Sequence, residues 1–229
     1  MNCIAVLNLG NFMPPTVRES FQHAANRWDA RLVEITQPIS IDGPAHVFWQ
    51  KAMIWQIPET SVYNRILQLD CDMLIRSNAP NPFNLVADDR IGVVSRIQPG
   101  WQGRMPVPVK KWAERYGIRP YRWPRQHLNA GFILYDRIAN AELLHRWMML
   151  GKLSNWQKMT SLPEQFTLSC LLANENDKTT WLPWEFNASS AGKTPEFRHG
   201  PMKAYIYHFH RPRYKRLPKL VKDVQWNVG

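Results

Sequence analysis

Between Arg65 and Ile75 the chain reads RILQLDCDMLI, a nearly continuous apolar run interrupted at its centre by Asp70 and Asp72. Such a run has no polar face to turn to water. As a strand it must be covered on both sides, the condition of a parallel sheet sandwiched between helices. The flanking sequence supplies the parts. CIAVLNL reads as a first strand, MPPT breaks the chain and caps a helix over VRESFQHAANRW, and ARLVEI is extended again, which makes a βαβ opening. A second helix is predicted over HVFWQKAMIWQI, stopped by Pro58. Strands follow at IGVVS, GFILYD, TTWLP and AYIYHFH, with helices at ANAELLHRWMML and PEQFTLSCLLAN, the latter introduced by Ser161 and Pro163. Alternation of this kind predicts an α/β fold with a mostly parallel sheet in a single domain spanning residues 1–229.

Two stretches break the alternation. Residues 96–126 are rich in Pro, Gly, Trp and Arg and read as long loops around one short helix near Val109–Tyr116. A basic tail covers residues 211–229, with a small helix predicted over LPKLVKD. No internal repeat or low-complexity segment is present in the sequence.

The apolar fraction of 45% in 229 residues is enough for a substantial core. The longest apolar runs fall far short of the roughly 20 residues that span a bilayer. The N-terminus MNCIAVLNLGN has neither a basic leader nor a small-residue cleavage site, so it reads as a strand and the expected location is cytoplasmic. Cys3, Cys71 and Cys170 form no CxxC pair, which argues for reduced thiols and against a cysteine zinc site. The formal charge of +11 favours anionic partners: nucleotides, nucleic acid or an acidic membrane surface.

Asp70 and Asp72 carry the chemistry. They stand at the carboxyl end of a buried strand, where open α/β sheets bind ligands. Two carboxylates there can hold a divalent cation that also binds the phosphates of a nucleotide and neutralises a leaving diphosphate. A solvated turn is the competing reading of any D-x-D.

The segment FWQKAMIWQI followed by YNRILQLDCDMLI resembles the region leading to the D-x-D motif of the glycogenin-like, family-eight glycosyltransferases, a group that includes lipopolysaccharide galactosyl- and glucosyltransferases. Four further blocks are similar in the same order: HLNAGFILYD, LPEQFTLS, WLPWEFNA and YIYHFHRP. The resemblance implies the GT-A fold, a Rossmann-like domain for nucleotide-diphospho-sugars, and transfer of a sugar from a donor that is usually a UDP-sugar. It implies metal ligation by Asp70, Asp72 and His208, an O/N donor set suited to Mn²⁺, with Mg²⁺ an alternative. His210 competes with His208, since HFH places both rings on one side of a strand.

By the same resemblance Lys51 contacts the donor's phosphate or sugar, against the plainer reading of a solvated helical lysine. Asn129, Ala130 and Gly131 precede a buried strand, where an amide can bond sugar hydroxyls and glycine permits close approach; the plain alternative is a turn. Asn8, after the first strand, is a candidate for the nucleotide base. Glu164 and Gln165 match the family's D-Q pair on the reactive face of the sugar. If the enzyme retains configuration, Gln165 steadies an oxocarbenium-like transition state; if it inverts, Glu164 is the general base. Glutamate at a helix start also has a purely structural explanation. Arg211 sits where the family keeps a lysine on the diphosphate, although His210 replaces the expected glycine.

The remaining charge exceeds what one diphosphate requires. Residues 96–126 interleave Arg and Lys with Trp and Tyr, and the tail repeats the pattern. Aromatic faces that stack and cations that hold phosphates suit an anionic acceptor: DNA carrying a hydroxylated base, or lipopolysaccharide at an anionic leaflet, with peripheral membrane contact. Two other classes compete: a nucleic-acid or membrane-surface binding protein on a degenerate domain, and a nucleotidyltransferase or phosphatase. The latter lacks its motif, since Met73 and Leu74 follow Asp72.

Overall fold

A computed structural model describes residues 1–39, 47–95, 111, 114–115, 128–152, 163–189 and 204–209. It opens with β1 (Asn2–Leu7), α1 (Pro15–Arg27) and β2 (Ala30–Ile35). A 3₁₀ helix (Val47–Gln56) and one helical turn, α2 (Pro58–Ser61), lead into β3 (Arg65–Asp70), β4 (Met73–Ile75) and β5 (Ile91–Ser95). Next come β6 (Leu128–Asp136), α3 (Ala141–Lys152), α4 (Pro163–Asn174) and β7 (Thr179–Leu182). A short 3₁₀ turn (Trp184–Asn187), β8 (Ala188–Ser189) and β9 (Ile206–His208) follow.

The central sheet has the order β2-β1-β3-β6-β5-β7. Within it β6 runs antiparallel to both its neighbours, while the β1–β2, β1–β3 and β5–β7 pairs are parallel. The expected mostly parallel α/β sheet is therefore present. One face carries Cys3, Ala5 and Ile66 against Trp49 and Met53 of the 3₁₀ helix, Trp147 of α3 and Leu168 of α4. The other carries Val6, Leu67 and Phe132 against Val17, Phe21 and Ala24 of α1. Each fully buried Val, Leu, Ile, Phe or Met side chain among them contributes about 1.5–3 kcal/mol.

Three expectations are refined. The run RILQLDCDMLI is not one strand: β3 stops at Asp70, Cys71 and Asp72 turn, and β4 joins a second sheet ordered β4-β9-β8. Its apolar residues are continuous because two sheets bury them in succession. The helix over HVFWQKAMIWQI is 3₁₀. It is held at both ends: Gln50 Oε1 accepts from the Ile39 amide at 2.8 Å, and the Thr60 hydroxyl donates to the Ile54 carbonyl. Ile57, before Pro58, is extended, as the proline demands. The strand expected at GFILYD begins earlier, at Leu128, so Asn129, Ala130 and Gly131 lie within β6 and not in a turn. The basic stretch at 96–126 (Lys111, Glu114 and Arg115 apart), the helix near Val109–Tyr116, Ser161, His210 and the tail with Arg211 lie outside the described residues.

Candidate functional site

Strand register brings the chosen residues together. Leu7 pairs with Asp70 across β1 and β3, so Asn8 leaves the sheet beside Asp70. β6 pairs with β3 from Arg65↔Asp136 to Leu69↔Phe132, so Gly131 stands level with Asp70 and the first residues, Leu128 to Ala130, run past the carboxyl end of β3. In the second sheet Met73 pairs with His208, and the Phe209 amide donates to the Asp72 carbonyl at 2.9 Å. Residues far apart in sequence thus meet at one strand end.

Ligand atoms of Asp70, Asp72 and His208 lie within 4.8 Å of one another. His208 is buried, its Nε2 3.1 Å from Asp72 Oδ1 and 3.5 Å from Asp70 Oδ2. Lys51 places Nζ 2.5 Å from Asp70 Oδ1. Burial alone would lower the pKa of this ammonium, but Asp70, Glu164 and Asp72 together outweigh it and hold the pKa above its ordinary value. Lys51 is therefore a largely buried, charged partner of Asp70 and not a solvated helical lysine.

Glu164 and Gln165 occupy the first turn of α4, both buried. Burial raises the Glu164 carboxyl to about 7, against the opposing pull of Lys51. The Trp147 indole donates to the Glu164 carbonyl at 3.0 Å. Gln165 Oε1 accepts from the Ala130 amide at 3.2 Å, and Ser169 bridges the Gln165 carbonyl (2.9 Å) and the Leu128 amide (3.3 Å). These bonds lock the start of α4 to the start of β6. Among the described residues, Glu164 Oε2 and Gln165 Nε2 have no hydrogen-bond partner.

Other candidates have specific local duties. Asn8 Oδ1 accepts from the Met13 amide at 2.9 Å, and its Nδ2 donates to Glu34 Oε1 at 2.6 Å, tying the β1–α1 loop to β2. Arg18 holds the same carboxylate and keeps its pKa low. Asn129 Oδ1 accepts from the Gly131 amide at 2.8 Å. Gly131 does permit a close approach, by the imidazole of His208: an added Cβ would lie 2.6 Å from its Cε1. The sequence reading missed Asn187, whose Oδ1 lies 3.0 Å from His208 Nδ1. Its signal was the asparagine of WLPWEFNA, quoted as a block without a role for that residue.

No family model and no curated protein sequence matches this chain. Solved structures do. One is a glycosyltransferase involved in the glycosylation of the major capsid of PBCV-1, with 14% identity, a TM-score of 0.62, and coverage of 95% of this chain and 98% of that one. Another is the WbbM bifunctional glycosyltransferase, with 11% identity, a TM-score of 0.62, and coverage of 97% of this chain and 49% of that one. A third is the galactosyltransferase LgtC in complex with donor and acceptor sugar analogs, with 15% identity, a TM-score of 0.50, and coverage of 100% and 97%. The chain has the GT-A fold. The likeness to family-eight glycosyltransferases expected from the sequence holds at the level of that fold.

The donor set of this GT-A domain fits a divalent cation. Two carboxylates from the β3–β4 junction and one imidazole nitrogen from β9 meet there, and Lys51 neutralises only one of the two negative charges. No helix among the described residues is long and apolar enough to cross a membrane.

Proposed function

We propose that this chain is a metal-dependent glycosyltransferase that moves a hexose from a nucleotide-sugar, with UDP the expected nucleotide, to a hydroxyl of an anionic acceptor, with retention. The observation that carries the reading is the meeting of Asp70, Asp72 and His208, with Lys51 against Asp70, at the carboxyl end of β3 in a GT-A fold. Asp70, Asp72 and His208 would hold a divalent cation, which would supply neutralisation of a departing diphosphate, and the imidazole in the set favours Mn²⁺ over Mg²⁺.

The chain's own groups supply the rest. Lys51, kept protonated by its acidic neighbours, adds a fixed positive charge beside the phosphates. Gln165, its Oε1 positioned by the Ala130 amide, steadies positive charge that develops on the transferring sugar through the second lone pair of that oxygen. Retention follows the resemblance to the family-eight enzymes; Glu164, in the same buried first turn of α4 as Gln165, is the general base of the inverting alternative. Asn129, Ala130 and Gly131 line the donor side; Arg211 is assigned to the diphosphate from the sequence alone. The cation- and aromatic-rich stretches at 96–126 and 211–229 suit DNA with a hydroxylated base or lipopolysaccharide, met in the cytoplasm.

The test is donor hydrolysis and transfer with Mn²⁺ or EDTA, screening UDP-sugars against hydroxymethylated DNA, plain DNA and lipopolysaccharide, with the product anomer read by NMR. Metal-dependent transfer with the donor's anomeric configuration is the expected result. An inverted product would reassign Glu164 as the base. Absence of donor turnover, with tight binding to DNA or anionic vesicles, would replace the enzyme by a binding protein.

A further inference from the structure

Asn187 belongs to none of the groups expected to touch donor or acceptor, yet it is buried against the imidazole of His208. The two ring nitrogens face different partners. Nδ1 lies 3.0 Å from Asn187 Oδ1, while Nε2 lies 3.1 Å from Asp72 Oδ1 and 3.5 Å from Asp70 Oδ2. An amide oxygen accepts and cannot donate, so a hydrogen bond here requires the proton on Nδ1.

We propose that Asn187 is the positioning residue of the metal site: its carbonyl holds the Nδ1–H of His208 and so commits Nε2 to the space between the two carboxylates. The inference rests on the metal-site reading given above. An imidazole binds a cation through an unprotonated nitrogen, and the partner of the other nitrogen sets which one that is. Were the NH₂ end of the amide turned to Nδ1, the proton would move to Nε2 and occupy the lone pair the cation needs.

The surroundings are built to hold this pair. The turn Trp184–Asn187 runs directly into β8, which pairs with β9 at Ala188↔Tyr207 and Ser189↔His208. The Tyr205 amide donates to the Glu185 carbonyl at 2.8 Å. Phe186, next to Asn187, packs its ring 5.9 Å from that of Phe132 in β6 and 5.3 Å from that of Tyr205. The segments carrying Asn187 and His208 are thus bonded to each other and clamped on the central sheet, and Gly131 leaves room for the ring. A neutral amide also orients the imidazole without adding a third negative charge beside Asp70 and Asp72.

Asn187 Nδ2 makes no hydrogen bond among the described residues, so Asn187→Asp keeps the acceptor and sacrifices no donor contact. The experiment measures the dissociation constant of Mn²⁺ alone, by electron paramagnetic resonance, and the melting temperature, for wild type, Asn187→Ala and Asn187→Asp. Asn187→Ala should bind Mn²⁺ roughly 10–100-fold more weakly while Asn187→Asp retains most of the affinity. Equal affinity in wild type and Asn187→Ala, or Asn187→Asp as weak as Asn187→Ala, would overturn the inference. Wild type that binds no Mn²⁺ would overturn the metal site and this inference with it. Should Asn187→Ala fail to fold, the wild-type chain loaded with diamagnetic Zn²⁺ answers by long-range ¹H–¹⁵N correlation, with His208 assigned against His208→Gln. A protonated Nδ1 is expected; a proton on Nε2 would overturn the assignment.

Discussion

The imidazole of His208 lies so close to the backbone of Gly131 that a β-carbon there would stand 2.6 Å from Cε1 and 2.9 Å from Nδ1. The same β-carbon would stand 2.9 Å from Asn129 Oδ1. Gly131→Ala should therefore displace the ring or the start of β6, at about 1–3 kcal/mol, and weaken Mn²⁺ binding. Thermal melts and metal titration check this. A variant matching wild type in both would show that the ring moves aside freely.

Asp72→Asn removes one of the two negative charges proposed to hold the cation, with almost no change of shape. Metal-dependent donor turnover should fall by at least about 100-fold, on the scale of losing one strong electrostatic interaction in a site, while circular dichroism stays native. Full activity in Mn²⁺ would remove Asp72 from the ligand set.

Lys51 and Asp70 form a largely buried pair, with 11% and 22% of their side chains exposed. Removing one partner leaves the other charge uncompensated, so Lys51→Met should destabilise the fold by about 3 kcal/mol. Asp70→Asn in the same chain should recover part of that loss. A double-mutant cycle in chemical denaturation should report coupling of roughly 0.5–3 kcal/mol. Strict additivity would mean that the pair does not interact in solution.

Glu164 predicts a pH dependence. Burial, opposed by Lys51, lifts its carboxyl from 4.5 to about 7. Between these values the folded chain keeps a proton that the unfolded chain has lost, so stability falls as pH rises through the window and levels off above it. Glu164→Gln carries no such proton. Its stability relative to wild type should rise across the window by an amount on the order of 3 kcal/mol. Parallel melting curves for the two proteins at every pH would refute the buried-acid assignment.

Much of the sheet was legible because buried strands and amphipathic helices leave periodic signals. ARLVEI and IGVVS match β2 and β5 residue for residue, and PEQFTLSCLLAN matches α4. Where the signal was ambiguous, the reading drifted. Met73 to Ile75 look like a continuation of β3 because apolar residues carry no mark of which sheet will cover them. HVFWQKAMIWQI has the composition of a helix, and nothing local in it distinguishes the 3₁₀ form it takes, fastened by the bonds of Gln50 and Thr60 to backbone. Asn187 was passed over because a lone asparagine says nothing about a histidine 21 positions later.

The linear chain was sufficient for the α/β class and for placing Asp70 and Asp72 at a strand's carboxyl end, since both follow from local patterns of burial and charge. It could not convey that β6 runs past that end, that a second sheet delivers His208, or that Lys51 is buried against Asp70. Those outcomes depend on register and on desolvation, and both arise only when distant segments pack. The charge on Lys51 and the elevated pKa of Glu164 are properties of that packing, because each is set by neighbours remote in sequence and by the water their assembly excludes.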